Sequence, residues 1–102
     1  MGQKQIRDSL LEQLRLKNKS ADFYKDMVAD YMAFWKIKQN LIKDIREKGI
    51  RYEAVNGNGI KVDKVNESVV SLQKTTAIML KILNDLDLRE PLSETSDEDA
   101  YL

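Results

Sequence analysis

The chain has 102 residues, 42% of them hydrophobic and 33% charged, with 17 Lys and Arg balancing 17 Asp and Glu. It contains no histidine and no cysteine, so disulfides, thiolate metal sites, the thiol nucleophile and the commonest general base are excluded, and an enzyme is not expected. This length fits one small domain whose modest core would gain from oligomerisation.

Ile6, Leu10, Leu11 and Leu14 recur with helical spacing, which predicts a short amphipathic helix over residues 4–17. The N-terminal run lacks the unbroken apolar core of a signal peptide, and charge interrupts every other apolar run. A soluble cytoplasmic protein with no membrane partner is the expectation. Asn18-Lys19-Ser20 reads as a turn, with Ser20 as N-cap of the next helix.

That second helix is predicted from Ala21 to Lys48, about 40 Å at 1.5 Å per residue, with Gly49 stopping it. Its apolar residues form two adjacent stripes. Tyr24, Val28, Tyr31, Trp35, Ile42 and Ile45 make one; Phe23, Met27, Phe34, Ile37 and Leu41 make the other. Together they cover about half the circumference, more than one packing partner needs. One stripe is expected to face the third helix and the other a neighbouring subunit.

Residues 50–55 and 60–62 alternate weakly around Asn56-Gly57-Asn58-Gly59, a strong turn signal, so a short β-hairpin or an irregular loop is predicted. The glycines there are not followed by Lys-Ser/Thr at phosphate-loop spacing. A third helix follows. Asn66 is its N-cap, Glu67 favours its first turn, and Pro91 closes the run. Val65, Val69, Leu72, Thr76, Met79, Leu83 and Leu86 follow at alternating intervals of four and three, one seam with a single polar position at Thr76. Ile78, Leu80, Ile82 and Leu88 lie off that seam, which again predicts a partner surface with Met79 and Leu83 in it. The expected fold class is therefore mainly α, with three helices and a hairpin or loop between the second and third. Residues 1–92 form the domain, and 93–102 an acidic tail expected to order only on a partner. Glu94, Asp97, Glu98 and Asp99 lack the spacing of an EF-hand, and no cofactor is expected.

The zero net charge conceals segregation. Residues 1–19 carry five basic and two acidic side chains, residues 36–51 six and two, and residues 75–102 two and seven. Phosphate responds to local patches, so double-stranded DNA remains a candidate partner. Two clusters qualify: Arg15, Lys17 and Lys19, with Arg7 and Lys4 upstream; and Lys36, Lys43 and Arg46 along the second helix. A helix-turn-helix is disfavoured, because the recognition helix would open on Ala21-Asp22-Phe23-Tyr24, acidic and aromatic where base contacts belong. A solvated helix face is the alternative for either cluster.

The pattern Asn66-x-Ser68, then Met79-Leu80-Lys81-Ile82-Leu83, Asp85-Leu86-Asp87-Leu88 and Pro91, resembles the C-terminal segment of the short terminase small subunits of tailed phages. Leu41–Gly49 is similar to the Lys/Arg-rich end of the long helix that precedes it in that family, and the resemblance covers roughly residues 22–92. Asp87 departs from the pattern, standing where glycine is more frequent and where a non-glycine residue disfavours a left-handed helix end. The resemblance implies a non-catalytic subunit in the host cytoplasm. Such a subunit forms a homo-oligomeric ring, recognises viral DNA and regulates a large terminase subunit that holds the ATPase and nuclease. A purely structural helical oligomerisation module and a small helical DNA-binding regulator remain alternatives.

Overall fold

The computed structural model describes residues 2–88 and residue 90, so Pro91 and the acidic tail lie outside the described residues. The elements are α1 (Gln3–Leu16), α2 (Asp22–Lys48), β1 (Arg51–Val55), β2 (Lys61–Val65) and α3 (Glu67–Asp85). This is the expected three-helix chain, with a two-stranded antiparallel hairpin between α2 and α3.

Ser68, at the start of α3, meets Asp44 near the end of α2, and Leu86, just past α3, joins Val28 of α2 in the core. α3 therefore runs back along α2. α1 packs against the N-terminal half of α2, and Leu14, Val28, Met32, Leu86 and Leu88 form the buried core there. Tyr24, Tyr31 and Trp35 pack around it, so the first stripe of α2 does face the chain's own core; burial also pushes the Tyr31 phenol up from its ordinary pKa. Beyond this end only α2 and α3 remain in contact, and the hairpin extends the molecule to 64 × 35 × 21 Å. Its radius of gyration is 18.9 Å, against about 13 Å for a compact chain of this length.

α1 and α3 end alike. After α1, Asn18 takes φ +59° while Lys19 N–H donates to Leu14 O at 2.8 Å and Asn18 N–H to Arg15 O at 3.0 Å. After α3, Asp87 takes φ +58° while Leu88 N–H donates to Leu83 O at 2.8 Å and Asp87 N–H to Asn84 O at 3.0 Å. Both are Schellman ends. The left-handed end thus forms at Asp87 without glycine, and α3 stops at Asp85, six residues before the proline expected to close it. Burial of Leu86 and Leu88 in the core compensates the strain of that turn.

Three sequence expectations are corrected. The N-cap of α2 is Ala21, with no side-chain hydrogen bond, instead of Ser20. Val65 belongs to β2 and is half exposed, because the chain must leave the hairpin before Asn66 can cap α3. Thr75, not Thr76, is the buried polar residue of α3, since helix spacing places it with Met79 toward α2.

The hairpin pairs Arg51 with Val65 through Val55 with Lys61. Asn56 shapes its tip: its Oδ1 accepts from Asn58 N–H at 2.9 Å and Ile60 N–H at 3.0 Å, while Gly59 supplies the φ of +78° that the loop requires.

Candidate nucleic-acid interface

α1 brings Arg7 to α2, where it lines an open groove of about 360 Å³ with Gln3, Ala29, Met32, Ala33 and Lys36. Ala29 and Ala33 have almost no side chain, so the two helices leave a trough between them with a cation on each wall. Lys43 lies seven residues beyond Lys36, about 10 Å along the axis and nearly in line with it. Arg46 follows one turn later. Lys36, Lys43 and Arg46 are all exposed, and none pairs with a carboxylate among the described residues. Arg7 has only a loose contact with its exposed neighbour Asp8, at 3.8 Å. The structure thus joins Arg7 to the α2 cluster, a grouping that sequence distance concealed.

Arg15, Lys17 and Lys19 are placed differently. Arg15 donates to Glu12 at 2.6 Å through Nη2 and 3.0 Å through Nε, which holds the Glu12 carboxyl below its usual range. Lys17, whose side chain is only 18% exposed, donates through Nζ to the Asp87 carbonyl and lies 3.6 Å from its carboxylate. Lys19 Nζ donates to Leu86 O at 3.1 Å and lies 5.8 Å above the Tyr24 ring. These two lysines satisfy carbonyls at the negative end of α3, the position a helix dipole favours for cations. They are engaged within the chain instead of standing free toward phosphate.

The residues expected in a subunit interface also divide. Phe23 is 61% exposed, with its ring tilted against Tyr24 at 4.1 Å, and Ile37 is 46% exposed. Phe34 and Leu41 are half-buried, whereas Met27 and Leu83 pack on the core. Met79 is 4% exposed, so α2 and α3 already cover it. Leu80 and Ile78, two of the off-seam residues of α3, are exposed at its surface.

Comparison of the chain with protein-family models, with curated proteins and with solved structures gave no match. Among the described residues, no helix is long and apolar enough to cross a membrane.

Proposed function

We propose that this chain is a non-catalytic DNA-packaging subunit of the terminase small-subunit type. It assembles with copies of itself into a ring, holds double-stranded viral DNA and regulates a large subunit that carries the ATPase and nuclease. The sequence resemblance over residues 22–92 motivates the reading. The observation that carries it is the exposed row of Arg7, Lys36, Lys43 and Arg46, three of them without a carboxylate partner among the described residues. Each phosphate neutralised by such a row releases counterions, and repeating the row around an oligomer turns weak contacts into avidity. The exposed Phe23 and Ile37 supply apolar surface for the contact between copies.

The test is duplex binding followed by fluorescence anisotropy across a salt series. Charge reversal at Arg7, Lys36, Lys43 and Arg46 is expected to weaken binding for all sequences and to flatten the salt dependence by about one unit of log–log slope per lost contact. Undetectable duplex binding at low salt defeats the nucleic-acid part.

A helical oligomerisation module without DNA contact is the second reading. It is favoured by the engagement of Lys17 and Lys19 in capping α3, which withdraws two of the cations counted from sequence. Light scattering shows oligomers under both readings; the anisotropy series separates them.

A further inference from the structure

Beside the C-terminus of α3 lies a second groove, of about 310 Å³, lined by Leu11, Leu14, Arg15, Lys19, Ser20 and Lys25. Its floor is leucine, and its rim carries Lys25, Lys19, which is held on Leu86 O, and Arg15, which is paired with Glu12. The first turn of α2 opens beside it with no side-chain cap at Ala21, so the positive end of that helix adds to the local potential; Asp22 is the one acidic residue in that turn. Such a site suits an acidic segment that also carries large apolar side chains.

The chain itself contains one. Residues 91–102 have four acidic side chains, Glu94, Asp97, Glu98 and Asp99, no basic one, and the apolar pair Tyr101-Leu102. This segment starts next to the groove, because Lys19, which lines it, also holds Leu86 O, and Leu88 shares the core with Leu14. Glu90 is exposed, so the chain leaves the core there. Twelve residues reach at most about 40 Å when extended, ample to fold back across the groove.

We propose that the acidic tail docks in cis on this groove, with its carboxylates at Asp97, Glu98 and Asp99 against Lys25 and beside Lys19, and with Tyr101-Leu102 over Leu11 and Leu14. Tethering places the tail at an effective concentration of about millimolar, so contacts that are individually weak can hold it. The proposal does not rest on nucleic-acid binding.

Zero-length carbodiimide coupling of the intact chain at low ionic strength, read by mass spectrometry, tests it. Lys25 is expected to couple to Asp97, Glu98 or Asp99 in several-fold higher yield than Lys43 does, and salt at about 0.5 M should suppress those links. The double substitution Tyr101→Ser with Leu102→Ser is expected to lower the yield, and an unchanged yield overturns the placement of that pair on the leucine floor. Coupling in an equal mixture of natural-abundance and 15N-labelled chains distinguishes the occupant. Links confined to single-isotope products support docking in cis, whereas mixed-isotope products mean that the tail crosses to a second copy and overturn it. Equal coupling of Lys25 and Lys43, or none, also overturns it.

Discussion

Asn66 Nδ2 donates to the Gly49 carbonyl oxygen at 3.0 Å, joining the residue that opens α3 to the residue that closes α2. The same side chain accepts from Ser68 N–H through Oδ1 at 3.0 Å, and the Asn66 backbone N–H donates to Ile50 O at 2.7 Å. One buried asparagine, 3% exposed, therefore fixes the angle at which the hairpin leaves the helix pair. Asn66→Ala removes a cap and leaves the Gly49 carbonyl without this donor. A loss of about 1–3 kcal/mol in urea unfolding is expected. Asn66→Asp, which keeps the cap acceptor but sets a buried carboxylate against the Gly49 carbonyl and beside Asp44, should cost at least as much.

Asp44 gives the same junction a pH dependence. The hydrogen bond from Ser68 Oγ, at 2.7 Å, holds its carboxyl below the usual range, with Asn66 and Lys48 acting in the same direction. A carboxyl with a lowered folded pKa stabilises the fold above its unfolded value of about 3.9, and that contribution is lost as pH falls through the folded value. Thermal unfolding of the natural chain should therefore decline from about pH 5 downward more steeply than that of Asp44→Asn. Equal slopes would dissociate Asp44 from the junction's stability.

Lys17 and Lys19 should behave as structural cations. Lys17→Met and Lys19→Met are each expected to lower stability by about 1 kcal/mol, because the last carbonyls after α3 lose a charged donor. If they act mainly on phosphate instead, unfolding by denaturant will not change while duplex affinity drops.

Asp87→Gly relieves a left-handed φ of +58° at a non-glycine residue and removes the carboxylate 3.6 Å from Lys17. The strain is worth about 1 kcal/mol and the exposed ion pair a fraction of that, so a net stabilisation below about 1 kcal/mol is expected. Denaturant midpoints at matched slope measure it.

The helices were legible because apolar spacing is set by backbone geometry, and α1, α2 and α3 begin within a residue or two of where that spacing put them. The hairpin was legible from Asn56 to Gly59, whose side-chain and φ requirements are local. The cap at Ala21 and the end at Asp85 were not. Which residue caps a helix depends on where the core draws the chain, and Leu86 and Leu88 turn α3 inward before Pro91 can act. The basic clusters were legible as residues but not as surfaces. Arg7 and Lys36 line one groove only once α1 has packed across Ala29 and Ala33, and Lys17 and Lys19 are drawn away by carbonyls about seventy positions later in the chain.

That last separation bears on how the molecule assembles. The bonds from Lys17 to Asp87 and from Lys19 to Leu86 close loops spanning 70 and 67 residues, nearly the whole described chain. Forming them requires α2, the hairpin and α3 to be in place, so they sit at the high end of loop-closure entropy and cannot seed folding. They form after the helix contacts that shorter connections close, those of α1 with α2 and of α2 with α3. Interactions made after the folding barrier act on the unfolding rate, so the two lysines set how long the native chain persists more than how fast it forms.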